Sequence, residues 1–375
     1  MNHKALPWYQ RLHWVNVFFL ILTPLGAAIL LPLHTYFVGF SGKTLAIFFF
    51  YCACTSMSIT AGYHRFIAHR SYACHPVLKL FYLLFGAAAF QGSALQWGTD
   101  HRRHHRCVDT DSDPHNIRRG FWWAHVGWLL IKDESKYHNQ FERDLLRDPW
   151  IVWQHRYFVP IAIAMGFGFP MFVGWCVGNP VGGLLWGGLL RVVVTNHYTF
   201  LINSLAHTVG SKPYSDKQTA RDSLLMAVLA FGEGYHNYHH QFASDYRNGI
   251  RWYHWDPTKW LIRVMSWVGL AYRLKLVPQA EILRARLRTE QARLMQRGAP
   301  ADRLNALKNK VEEAQNRWRL LRADYVMLKK NMKDQSRAKL IQLKAEIRVA
   351  KLEFKMAYRQ WGAYYRTMRA LPAIS

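Results

Sequence analysis

The chain has 375 residues, 51% hydrophobic and 15% aromatic, which is enough to bury a sizeable core, and its 16 Trp, 19 Tyr and 21 Phe suit a membrane–water interface. A formal charge of +26 would by itself fit nucleic acid, but beside long apolar runs it reads as basic loops meeting anionic lipid, and no nucleic-acid partner is expected. Five Cys (Cys52, Cys54, Cys74, Cys107 and Cys176) form no C-x-x-C pair, which excludes a disulfide framework and a cysteine zinc site.

Residues 1–14 are polar, with Lys4 and Arg11 as positive flanks. Residues 15–33 are apolar and long enough to cross about 30 Å of hydrocarbon at roughly 1.5 Å per residue. The run is too long for a secretory signal and ends in no small-residue cleavage site. A short loop, residues 36–43, leads to a second span at about residues 44–61. That span delivers the chain to His64 and His69, an H-x-x-x-x-H pair. Residues 76–90 are apolar but short, and a histidine box lies beyond each end. A crossing there would put His64 and His101 on opposite faces, so an interfacial or re-entrant helix is expected.

Residues 97–157 are polar and aromatic and form a cap. They hold His101, His104 and His105, an H-x-x-H-H group whose members point to roughly one helix face. Asp100 either orients the His101 imidazole or pairs with Arg102 or Arg103. His115 and His125 lack ligand spacing and are read as structural. A third span covers residues 158–177, where Pro160, Pro170 and several glycines are tolerated by bundled membrane helices. Gly178-Asn179-Pro180 is a turn, and a fourth span covers residues 181–205. The H-x-x-H-H spacing then recurs as His236, His239 and His240. Two spans between the second and third boxes keep those boxes on one side. Lys and Arg are sparse in the loops at 36–43 and 178–180, so the positive-inside rule puts both termini and all boxes in the cytoplasm.

Beyond Leu276 the composition shifts to Ala, Leu, Lys, Arg, Glu and Gln. The expected division is a membrane domain at 1–276, a linker at 277–300 and a basic helical tail at 301–375. In the tail, Leu304, Leu307, Val311, Ala314, Trp318, Leu321, Tyr325, Leu328 and Met332 make a heptad seam. A second seam runs through Leu340, Leu343, Ile347, Ala350, Phe354, Ala357, Trp361 and Tyr364. The pattern slips at Asp334-Gln335-Ser336, which predicts an antiparallel hairpin turning there, or one long helix with a skip. Its surplus Lys and Arg suit anionic lipid or an acidic electron donor. The fold class is therefore all-α: a polytopic membrane protein of four spans with a helical cap holding a di-metal site and a coiled-coil-like extension.

Eight box histidines are too many for one ion and suit two. Imidazole alone does not choose among iron, zinc, copper and nickel. A metal transporter would place ligands near the middle of its spans, whereas these lie at span ends and in the cap.

Longer strings accompany the boxes: Ile59-Thr60-Ala61-Gly62-Tyr63-His64-Arg65, Asp113-Pro114-His115-Asn116, Arg118-Arg119-Gly120-Phe121, Asn203-Ser204-Leu205-Ala206-His207 and Gly232-Glu233-Gly234-Tyr235-His236. In this order the strings resemble the integral-membrane fatty acyl desaturases, most of all the acyl-CoA Δ9 (stearoyl-CoA) desaturases of the bacterial branch, over roughly residues 8–276. The resemblance implies an oxygen-dependent enzyme with two iron ions, O2 as co-substrate and a long-chain acyl-CoA substrate. It implies a separate electron donor of ferredoxin, cytochrome b5 or flavoprotein reductase type, since the chain has no His-Pro-Gly-Gly string and no four-cysteine iron site. A bacterial inner membrane is the expected location. The implied ligands are His64, His69, His101, His104, His105, His207, His236, His239 and His240, with Asn203 holding a water on one iron. Gln91, Trp97, Thr199 and Phe200 match positions shaping the bend of a substrate tunnel, and Phe200 stands where the family usually has Trp. Phe48 and Cys52 match its closed end. Arg118, Arg119 and Lys132 are implied partners for the coenzyme A phosphates, although Thr99 replaces an Arg of vertebrate members. A hydroxylase, or a desaturase of lipid-bound acyl chains, would share the boxes and differ in tunnel and regiochemistry.

Overall fold

The structure is a computed structural model that describes residues 7–132, 140–330 and 337–371. The described residues are mostly helical; their single sheet is a two-residue antiparallel ribbon pairing Ala73 with Tyr272 and Cys74 with Ala271. They divide into two compact units, Met1–Lys212 with Lys217–Leu276, and Pro213–Asp216 with Val277–Ser375.

In the first unit, three helices are long and apolar enough to cross a membrane: Trp14–Val38, Gly42–Ala68 and Phe158–Cys176. Gly39, at φ 89°, ends the first of these in a conformation that costs a glycine little. The helix Pro76–Ala87 has 12 residues, or about 18 Å at 1.5 Å per residue, short of the ~30 Å a span needs. Pro76 starts it. Phe90 and Gly92, at φ 56° and 92°, turn the chain away from it.

Residues 180–204, the core of the expected fourth span, are helical throughout. They fall outside the three apolar helices because Arg191, Asn196 and His197 dilute the pattern. Arg191 is fully buried and donates to the carbonyls of Gly187 (3.0 Å), Gly166 (2.8 Å) and Ala88. Its charge faces protein, where three carbonyl dipoles replace water.

In the second unit, the stretch 277–300, expected as a linker, is mostly helical. It contains the helix Gln279–Met295. Leu287 and Leu294 of that helix are buried with Leu304, Val311, Ala357 and Trp361 of the tail. Arg284, Arg286 and Arg288 interleave with the apolar positions and mask this stripe in the sequence. The tail helices Ala301–Lys330 and Arg337–Ala370 pair antiparallel. Lys310 reaches Gln360 at 3.0 Å, Arg317 meets Glu353 at 3.2 Å, and Trp318 stacks on Phe354. Asp334, Gln335 and Ser336, where the sequence places the turn, lie outside the described residues.

Candidate metal centre

From Ser58 to Ala68 the second span is wound as a π-helix. Five residues advance an α-helix by about 500°, which would leave His64 and His69 about 140° apart. A π turn bonds i to i+5, and the His69 N–H donates to the His64 carbonyl at 3.0 Å. The winding thereby brings the two rings of an H-x-x-x-x-H pair to 4.8 Å. The second box lies in the helix Ala94–Cys107, capped by Ser93 Oγ accepting from the Gln96 N–H at 3.2 Å. The third lies in the short helix His236–Gln241.

The imidazoles gather into two groups. His64, His69, His101, His105 and His239 form one; His104, His207, His236 and His240 form the other. The sequence reading put each H-x-x-H-H triplet on a single face, and the structure divides it. Positions i and i+4 serve one group while i+3 serves the other, since i+3 and i+4 diverge by about 100°. His101 and His105 thus join the first group and His104 the second; His236 and His240 join the second and His239 the first.

In the first group Nε2 atoms meet at 2.8 Å (His69–His101), 2.9 Å (His64–His239) and 2.9 Å (His239–His105). In the second they meet at 3.1 Å (His236–His207), 3.1 Å (His240–His236) and 3.3 Å (His104–His240). Nitrogens about 2.0–2.1 Å from one ion would be separated by about 2.8–3.4 Å at octahedral or tetrahedral angles, so each group fits a metal ion.

The outer nitrogens reinforce this fit. His64 Nδ1–H donates to Glu233 at 2.9 Å and His104 Nδ1–H to Asp113 at 2.8 Å. His207 Nδ1–H donates to Thr219 Oγ1 at 2.7 Å, and the Thr219 N–H donates to Asp109 at 2.7 Å. Each bond leaves Nε2 as a lone pair aimed inward, as a metal ligand requires. Burial, reinforced by neighbouring imidazoles, holds His69, His101, His105, His207, His236, His239 and His240 well below the ordinary histidine pKa, hence neutral. Burial would raise Glu233, but His64 and Arg65 outweigh it and lower its pKa to about 2. Burial would likewise raise Asp113, and His104 and His115 outweigh it, holding it below the usual carboxylate range. Arg65 ties Glu233 (2.9 Å) to Asp256 (3.0 Å). Glu233, Asp113, Thr219 and Asp109 were assigned no role from the sequence; the first two stand inside the matched strings.

The remaining sequence candidates sit as follows. A cavity of about 60 Å³ is lined by Thr55, Ile59, Gln91, Trp97, Thr199, Asn203 and box histidines. A larger one of about 790 Å³ shares Gln91, Trp97, His101, Thr199 and Asn203 with it, and adds Phe200, Arg119 and Lys132. Gln91 donates to Thr199 Oγ1 at 2.9 Å, and Trp97 stacks on His101 at 4.8 Å. Phe48 and Cys52 line neither cavity, and Arg118 is exposed outside both. Asp100 pairs with Arg103 at 3.5 Å while Arg102 pairs with Asp144 at 2.8 Å. His115 packs on His104 beside Asp113, and His125 bonds Ser204 and His197.

Comparison with known proteins adds the following. A family model described as fatty acid desaturase matches residues 43–275. The chain is 42% identical over 300 residues to acyl-CoA desaturase 1 of Saccharomyces cerevisiae, covering 78% of this chain and 57% of that protein. It is 43% identical over 289 residues to a probable acyl-CoA desaturase of Schizosaccharomyces pombe, covering 76% and 59%. It is 35% identical over 293 residues to human stearoyl-CoA desaturase 5, covering 74% and 86%. The chain thus spans little more than half the length of the two yeast proteins. These relatives are eukaryotic and lend no support to a bacterial inner membrane.

Proposed function

The chain belongs to the fatty acid desaturase family, and from that premise we propose that it is an oxygen-dependent acyl-CoA desaturase with a di-iron centre, placing a cis double bond at Δ9 of a long saturated chain. The observation that carries this reading is the pair of imidazole groups, whose His64, His101, His104 and His236 line one cavity together with Ile59, Trp97, Ile202 and Phe231. His64, His69, His101, His105 and His239 would hold one iron, and His104, His207, His236 and His240 the other, with Asn203 contributing through water. Iron with dioxygen supplies an oxidant strong enough for an unactivated alkyl C–H bond, which no acid or base can ionise. The overall reaction removes two hydrogens from the acyl chain, takes two electrons from a separate donor protein and two protons, and reduces O2 to two waters.

The chain's own residues position the substrate. Gln91 and Thr199, bonded to each other, and Trp97, stacked on His101, line both cavities. An acyl chain would enter from the larger cavity, with Arg119 and Lys132 meeting the coenzyme A phosphates. Thr55 and Ile59, which line the smaller cavity, would lie at its inner end. Phe48 and Cys52 continue the same helix face outward at steps of three and four, where they would close the tunnel. Residues 180–204 would be the fourth span, with Arg191 turned inward, and the boxes would share the cytoplasmic side with both termini.

The test is to express the chain in a host that makes no monounsaturated fatty acid and to locate the double bond in its lipids. Growth without supplement and Δ9 products are expected, with none from His101→Ala or His239→Ala. An iron-loaded chain supplied with reductant, O2 and stearoyl-CoA that forms no alkene would overturn the reading.

A further inference from the structure

The charge of the second unit is concentrated and sorted. Residues 277–375 carry 23 Lys and Arg against 9 Asp and Glu. The seam of the last helix, Arg337–Ala370, is covered by its antiparallel partner. Away from the seam, Ile341, Val349, Leu352 and Met356 are 63%, 52%, 58% and 60% exposed. At about 100° per residue these four fall within an arc of about 80°. Lys344, Arg348, Lys351, Lys355, Arg359 and Arg366 occupy the adjoining arc of about 80°, and all six are exposed. The helix's two acids, Glu346 and Glu353, lie outside both arcs, and Glu353 pairs with Arg317. Among the described residues, Arg348, Lys351, Lys355 and Arg359 have no carboxylate at ion-pair distance.

We propose that this face of the last helix docks on an anionic lipid bilayer surface, lying in the interfacial plane with Leu352 and Met356 among the first acyl-chain carbons beneath the headgroups and the basic arc on lipid phosphates. Two features favour lipid over a protein partner. The apolar stripe with a basic flank and segregated acids is the pattern of an interface-seeking helix. The unit also follows directly in the chain after one whose helices are long and apolar enough to span a membrane, so a bilayer is always within reach and the encounter is intramolecular. Each basic residue near an anionic surface strengthens attachment by about fivefold. The inference does not depend on the proposed desaturation.

The test uses the purified full chain in polymer-bounded lipid nanodiscs of phosphatidylcholine alone or with phosphatidylglycerol as about a third of the lipid, first with no partner protein and then with an acidic protein added. Tryptic cleavage at Lys351 and Lys355 is followed by mass spectrometry. Cleavage is expected to slow by about tenfold or more in the anionic discs, and to recover as ionic strength rises about tenfold. The triple variant Arg348→Glu, Lys355→Glu, Arg359→Glu, read at Lys351, and the double variant Leu352→Asp, Met356→Asp should each lose the protection. The charge-keeping variant Arg348→Lys, Lys355→Arg, Arg359→Lys should retain it, cut at its new sites, which separates docking from unfolding of the hairpin. Equal cleavage in both lipids, or protection that survives the charge-reversing variant, would overturn the proposal. So would protection that appears only when an acidic protein is added.

Discussion

His64 can present Nε2 to a metal because its Nδ1–H is held by Glu233, whose other side is tied through Arg65 to Asp256. Glu233→Gln removes that anion while keeping the shape. It is expected to weaken metal binding about 10–100-fold, read as metal retained against a graded chelator. Asp113→Asn should act the same way through His104 in the second group; wild-type retention in both variants would show these carboxylates to be merely structural. At the bend, Gln91 Oε1 is already buried without a partner, and its amide nitrogen depends on Thr199. Thr199→Val leaves that nitrogen unsatisfied at a cost of about 1–3 kcal/mol. The expected readout is a loosened positional preference, seen as a second double-bond isomer in the products.

The helix Gly42–Ala68 carries both the inner end of the cavity and the first box, so its two halves are separable by mutation. Thr55→Phe should shift products to shorter acyl chains without loss of metal, because filling depth does not touch the ligands. Cys52→Trp, one turn further out, should have a smaller effect of the same sign; unchanged product profiles from both would remove this face from the tunnel. Against the π-wound half packs Gly86, where an added Cβ would sit 2.4 Å from the Tyr63 ring. Gly86→Ala should cost about 1–3 kcal/mol and lower metal content as well as melting temperature, since Tyr63 adjoins His64. Much of this level was legible in the sequence: the box spacings, the apolar runs and the short helix before the second box all follow from residue periodicity. Two things were hidden. The π winding leaves no periodic mark in a stretch where ten of eleven residues are buried, polar ones included, and the partner of His64 lies far along the chain at Glu233. The helix Gln279–Met295 was hidden as well, because its alternating arginines look like the solvated stretch that a linker would also show.

All nine candidate ligands lie in the first compact unit. A chain ending at Leu276 should therefore keep its metal-to-protein ratio, measured by elemental analysis; a drop would make the second unit part of the metal-holding fold. Within the first unit, the crossed pattern of the H-x-x-H-H helices has a further consequence. Each helix sends two rings to one group and the third to the other, so neither ion can leave without freeing a ring from a helix that still grips its neighbour. Filling is then expected to be all-or-none: native mass spectra of a half-titrated sample should show chains with no ion and chains with two, and few with one. A helix built this way cannot trade one site away while keeping the other, so the pair is inherited and lost as a single object.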